Sequence, residues 1–232
     1  MICAGVLIVN FYLQAKNQLR MAKLQEKAHP EEIVVEEDTV EIPIDFDEIR
    51  KENKDIVAWI QIPDTKVDYP VLQSAPDMEE DFYLNHNLDG SEGYPGCIYM
   101  QRVNTADFSD SVTVVYGHNM KNGTMFKGLH EYKDLEYLKE HDTFYVYTPT
   151  EIKTYRVIAA TTYDNRLIPA YFNDFSSETD VQNFLDELFS TKESAKNHFI
   201  DVEDYDASNH YVVLSTCTSS DTVRWLVVGV QE

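Results

Sequence analysis

Tyr211-Val212-Val213-Leu214-Ser215-Thr216-Cys217-Thr218, followed by Arg224-Trp225-Leu226-Val227-Val228-Gly229-Val230, decides how this chain is read. Both runs are apolar, rich in β-branched residues, and separated by a short polar stretch, the pattern of two strands and a connection. If Thr218 to Val223 form that connection, Cys217 and Arg224 lie opposite each other and project from one face. Tyr211, Val213 and Ser215 share the face of Cys217, while Val212, Leu214 and Thr216 take the other. Both faces of Trp225 to Val230 are apolar, so the pattern alone leaves the register open. A thiol at a strand mouth beside a fixed cation has the makings of a nucleophile with electrostatic support.

Working outward, Val112-Thr113-Val114-Val115-Tyr116-Gly117 is another β-type run, and it ends at His118. A free thiol has a pKa near about 8.5 and is mostly protonated at neutral pH, so it needs a base. An imidazole, titrating near about 6.5, is the natural partner. A thiol, an imidazole and a guanidinium at three strand ends make an acyl-transfer site. The competing reading is an inert core cysteine, a turn histidine and an edge arginine. The chain has three cysteines, Cys3, Cys97 and Cys217, an odd count that argues against a disulfide framework. Cys97 reads as a small buried hydrophobe.

Further short runs read as strands: 57–62, 67–72, 96–101, 143–148, 153–162 and 198–201. With Gly, Pro, Asn and Asp between them they predict a barrel or sandwich. Asp45 caps a short helix through Phe46, Ile49 and Asn53. A second helix is expected from Phe126 to Leu138. A third spans Glu178 to Ser190, where Val181, Phe184, Leu185, Leu188 and Phe189 form one apolar stripe.

Composition fits one domain with a sizeable core: 232 residues, 43% hydrophobic, with 15 Tyr and 11 Phe. The net charge of −22 argues against a nucleic-acid binder, which needs clustered Lys and Arg. His29, His86, His130, His141, His198 and His210 lack metal-site spacing. Asp77, Glu79, Glu80 and Asp81 read as a solvated acidic turn, so no metal is expected.

Val213-Leu214-Ser215-Thr216-Cys217 with Arg224 resembles the signature of the sortases, cysteine transpeptidases of Gram-positive cell surfaces. Three more segments are similar to the class B branch. They are Trp59-Ile60-Gln61-Ile62-Pro63 with Asp68-Tyr69-Pro70-Val71, then Phe82-Tyr83-Leu84-Asn85-His86-Asn87, then Tyr116-Gly117-His118-Asn119-Met120. The resemblance runs from about Phe46 to Val230. It implies a mainly β fold, a closed sortase-type barrel of about eight strands. An N-terminal helix and a helix in the loop before the C-terminal strands complete it. It implies His118, Cys217 and Arg224 as catalytic residues and a substrate groove formed by Leu84, Tyr116, Ser215 and Thr216, with no cofactor. The implied partners are surface proteins with a C-terminal sorting signal and an amine from a peptidoglycan precursor or a pilin-like subunit. Two rivals stay open: a secreted wall-binding β-barrel with a structural Cys217, and another cysteine peptidase. Papain-like enzymes, however, place Cys before His, the reverse of the order here.

Ile2 to Leu13 is an apolar run shorter than the roughly 20 residues that span a bilayer, with no basic region before it. Because sortases carry an N-terminal anchor, residues 1–13 read as the remnant of one, which implies the cell membrane as location. A short amphipathic leader helix is the alternative. Residues 14–45, polar and increasingly acidic, read as a stalk, and 46–232 as the catalytic domain.

Overall fold

The two C-terminal runs, apolar on both faces, lie side by side within one closed sheet. The computed structural model describes residues 2–29, 42–191 and 196–232. Its strands are β1 (Ile56–Gln61), β2 (Asp68–Gln73), β3 (Ile98–Met100), β4 (Val112–Gly117) and β5 (Thr143–Tyr147). They continue with β6 (Ile152–Asp164), β7 (His198–Phe199), β8 (Tyr211–Cys217) and β9 (Val223–Gln231). The hydrogen-bonded order is β5-β1-β2-β3-β4-β8-β9-β6-β7, and β5 also pairs with β6. Eight strands therefore close into a barrel, while β7 hangs on β6 by two residue pairs, Ala159↔Phe199 and Ala160↔His198. The β2–β3 and β4–β8 pairs are parallel. The helices are α1 (Ile2–Ala28), α2 (Phe46–Ile49), α3 (Phe82–Asn85), α4 (Leu135–Glu140), α5 (Ile168–Tyr171) and α6 (Glu178–Ser190).

Side-chain parity sorts the core into an interior and two covered outer faces. Val212, Leu214, Trp225 and Val227 point into the barrel with Val115, Phe126 and Phe144. Tyr211, Val213, Leu226 and Val228 point outward and are covered by Ile168 of α5 and by Val181, Phe184, Leu185 and Leu188 of α6. Burial on both sides explains why β8 and β9 read as continuous apolar runs. A third cluster, Trp59, Leu72, Tyr83 and Tyr99, lies under α1, α2 and α3. Asp45 caps α2 by accepting from the Glu48 amide (2.9 Å), and Ser177 caps α6 by accepting from that of Asp180.

Three stretches differ from expectation. The continuous helix expected from Phe126 to Leu138 is a 3-10 segment, Phe126–Lys133, followed by α4. Asp134 between them is extended (φ −94°, ψ 124°), and its carboxylate accepts from the Glu136 amide, so a new helix starts there. The strand expected over 198–201 stops at Phe199, because Asp201 turns left-handed (φ 47°) into a 3-10 turn.

The third is at the N-terminus. Residues 14–28, read as stalk, continue α1 along the barrel: Leu24 and Ala28 are buried beside Ile49 and Trp59. Gln25 Nε2 donates to the Asp68 carbonyl (2.6 Å), and Lys27 pairs with Glu52 (2.6 Å). The acidic part of that stretch, residues 30–41, lies outside the described residues. The expected location at the cell membrane through an N-terminal anchor is corrected. No helix of the described residues is long and apolar enough to cross a membrane. In α1 the apolar run gives way after Leu13 to Gln14, Lys16, Asn17, Gln18 and Arg20.

Candidate active site

Strand register assembles the site. Parallel β4 and β8 pair Tyr116 with Ser215 and Gly117 with Thr216, so the next step along the register sets His118 beside Cys217. Antiparallel β8 and β9 pair Cys217 with Arg224, and β9 and β6 pair Arg224 with Tyr163. His118, Cys217, Arg224 and Tyr163 thus form one row across four strands, about 4.8 Å apart per strand. One row deeper lie Tyr99, Tyr116, Ser215 and Leu226. The row opens on the outside of the barrel, at the seam between the α6-covered and α3-covered faces. There a cleft of ≈240 Å³ is lined by Leu84, Tyr116, His118, Ser215, Thr216, Cys217 and Arg224, all seven residues expected from the sequence. Tyr99 and Asp164 to Ile168 also line it.

Gly117, between Tyr116 and His118, faces the interior, where a Cβ would run into Ile98 Cδ1 and the Phe126 ring. Any larger residue between the outward Tyr116 and His118 would have to displace Ile98 or Phe126. Thr216, also inward, staples the two strands: its hydroxyl donates to the Gly117 carbonyl (2.8 Å). Tyr116 stacks on Tyr99 with centroids 5.3 Å apart.

The His118 ring is fixed from two sides. Nε2 donates to the Leu84 carbonyl at 2.8 Å, since a carbonyl can only accept, and the Tyr94 ring lies 4.9 Å away. Burial pushes the imidazole below its ordinary pKa, with the Leu84 carbonyl pulling weakly the other way. Cys217 is a free, half-buried thiol at the cleft. Cys97 is a contrast: fully buried, with burial pushing its thiol far up and out of reactive range. Arg224 Nη1 donates to the carbonyls of Asp221 (3.2 Å) and Val223 (3.4 Å), neutral partners that leave its charge uncompensated by them.

Several residues at the site carried no sequence signal. Arg166, on the opposite wall, pairs with Asp164 and with Glu187 (3.0 Å) and lies over the Tyr171 ring at 4.0 Å. Tyr163 donates its hydroxyl to Glu187 (2.7 Å), tying the end of β6 to α6. Beneath the Cys217 thiol, Asn119 Nδ2 (3.1 Å) and His130 Nε2 (2.9 Å) both donate to the Cys217 carbonyl. Its place at the end of β6 was a usable hint for Asp164, and Asn119 falls in the Tyr116-to-Met120 segment quoted above; nothing local marked Arg166, Tyr163 or His130. Among the described residues no group of His, Cys, Asp and Glu is arranged to hold a metal ion.

The sortase domain family model matches residues 60–232. This chain belongs to the sortase family. Sortase B of Listeria monocytogenes is 34% identical over 180 residues, covering 76% of this chain and 68% of that protein. Sortase B of Staphylococcus aureus is 29% identical over 221 residues, 93% of this chain and 80% of that one. The crystal structure of sortase B from B. anthracis matches with a TM-score of 0.76 at 27% identity, over 97% of this chain and 98% of the other. These relatives put this sortase in class B and make it a cysteine transpeptidase, an enzyme type that joins proteins bearing sorting signals to amine acceptors. The reading of a wall-binding barrel with a structural cysteine is not favoured.

Proposed function

We propose that this sortase uses Cys217 as nucleophile, His118 as general acid and base, and Arg224 as the donor to the developing oxyanion or to the substrate backbone. The single observation that carries the reading is the shared row of these residues across β4, β8 and β9. His118 Nδ1 takes the thiol proton, and the sulfur attacks the scissile carbonyl. Arg224, always charged and with several donors, stabilises the tetrahedral oxyanion. The C–N bond breaks, and His118 returns the proton to the leaving amine. A thioester remains. An acceptor amine then attacks it, giving its proton to His118; the new amide leaves and Cys217 is reprotonated.

The acyl donor is a surface protein with a C-terminal sorting signal. The acceptor is an amine of a peptidoglycan precursor or of a pilin-like subunit. Leu84 packs on the donor peptide, Tyr116 and Ser215 line its groove, and Thr216 orients the strand end. The segment from Ile168 to Ser190 forms the far wall, selecting the peptide without entering the chemistry.

The test is incubation with Leu/Asn/Ser-Pro-x-Thr-Gly and -Asn peptides plus an amine. Transfer to the amine is expected for one motif class and none with Cys217→Ala. A Cys217→Ala protein that still transferred would move the nucleophile elsewhere.

A further inference from the structure

The Cys217 carbonyl lies one step beyond the last rung of the β4–β8 ladder, Gly117↔Thr216. Past His118 the chain leaves the sheet through a bridge at Asn119↔Met125 and turns back, with the Phe126 amide donating to the His118 carbonyl (3.0 Å). No further strand amide is in line for that acceptor. Two side chains replace it, Asn119 Nδ2 at 3.1 Å and His130 Nε2 at 2.9 Å. A carbonyl has two lone pairs, so the pair of donors saturates it.

His130 is an unusual choice for a merely structural donor. It is 9% exposed, it lies 6.2 Å from the Trp225 ring in a near-parallel stack, and its Nδ1 is buried with no partner. An orphaned buried nitrogen is unfavourable, so the benefit of an imidazole here has to come from Nε2. A carbonyl cannot donate, and a proton on Nδ1 would be stranded. Only the neutral ring with its proton on Nε2 satisfies both conditions.

Resting on the assignment of Cys217 as nucleophile, we infer that His130 is a positioning residue for it. Together with Asn119 it clamps the Cys217 carbonyl and so fixes the backbone from which the thiol projects between His118 and Arg224. Its ring does not touch the reacting atoms. The peptide plane is rigid, so pinning the oxygen sets the direction of the Cα and hence of the Cα–Cβ bond. Without the clamp the strand end relaxes, and a displacement of about 1 Å is enough to cost about 10²-fold in rate.

The experiment has two arms. In wild-type protein at neutral pH, long-range ¹H–¹⁵N spectra should show His130 as the Nε2–H tautomer, in Cys217→Ala as well. An Nδ1–H or doubly protonated ring overturns the proposal, with no variant required to fold. In the second arm His130→Leu keeps bulk and loses the donor, while His130→Gln restores an N–H near the Nε2 position. His130→Leu should lower kcat by about 10²-fold with the donor-peptide KM within about twofold, and Gln should recover most of it. Alkylation of Cys217 by iodoacetamide should slow and recover in parallel. A folded His130→Leu with wild-type kcat and alkylation, or a Gln variant as impaired as Leu, overturns the role. A wild-type thiol inert to iodoacetamide would instead indict the nucleophile assignment itself.

Discussion

His118 donates a hydrogen bond from Nε2–H to the main-chain oxygen of Leu84, 2.8 Å away, which leaves Nδ1 as the ring nitrogen open to the proposed exchange with a thiol. The contact makes α3 part of the catalytic geometry. It also splits Leu84 in two: the carbonyl orients the His118 ring, the proposed base, while the residue lines the cleft.

Leu84→Ala removes only the side chain. Steady-state kinetics should show a higher KM for the donor peptide, with the acid limb of the pH profile unmoved. A shifted limb would mean that the side chain, not the carbonyl, sets the environment of the ring.

His118→Ala should cost at least ~10²-fold in kcat/KM, the range for positioned proton transfer. In the wild type the base must be neutral to take the thiol proton, so the rate falls as pH drops through its pKa. Burial lowers that pKa, so the acid limb should lie below the usual 6.5. A limb at or above 6.5 in the free enzyme would contradict the buried ring.

Stability should follow the same sign. Burial lowers the pKa of both His118 and His130, so below about 6.5 the unfolded chain binds protons that the fold refuses. Their contribution is intact above that value and is lost as pH falls beneath it. Urea midpoints should drop between pH 7.5 and 5.5, above the range where ordinary carboxylates titrate, and the drop should shrink in His118→Phe. An equal drop in that variant would shift the effect to other groups.

Arg224→Lys should lose most activity, by about 10²-fold in kcat, because one ammonium on a flexible stem cannot supply the donors of a planar fork. A Lys variant near wild type would reduce Arg224 to a bare positive charge.

The sequence was most legible where one local rule governs. Period-two alternation divided Val213 from Leu214 and permitted Cys217 to lie opposite Arg224 without fixing the register; the structure pairs the two. Strand-end chemistry and resemblance suggested His118 as partner of Cys217, but no pattern placed them side by side, because parallel pairing of strands a hundred residues apart leaves no local trace. Arg166 and His130 were invisible for a related reason: one depends on where a loop folds back, the other on where a ladder ends. The docking of α1 was hidden too, since only Leu24 and Ala28 of its polar C-terminal half are buried. The break at Asp134 was readable in principle, as an acidic cap inside an apparently helical stretch.

The strand order has a consequence for how the enzyme comes into being. β8 and β9, the last two strands in the chain, sit between β4 and β6, in the middle of the sheet rather than at an edge. The earlier strands form an open belt that cannot shut without them, and such long-range pairings are slow to form. His118 and Cys217, the proposed base and nucleophile, therefore meet in the same event that seals the belt, and a partly assembled chain holds an imidazole with no thiol beside it. Trp225, wholly enclosed and bonded through Nε1 to the Leu129 carbonyl (2.7 Å), reports that event. In a Trp59→Phe background, a denaturant series should show the shift of Trp225 emission and the loss of transferase activity at one midpoint; activity lost well before the tryptophan signal would mean that the site can come apart inside a closed barrel.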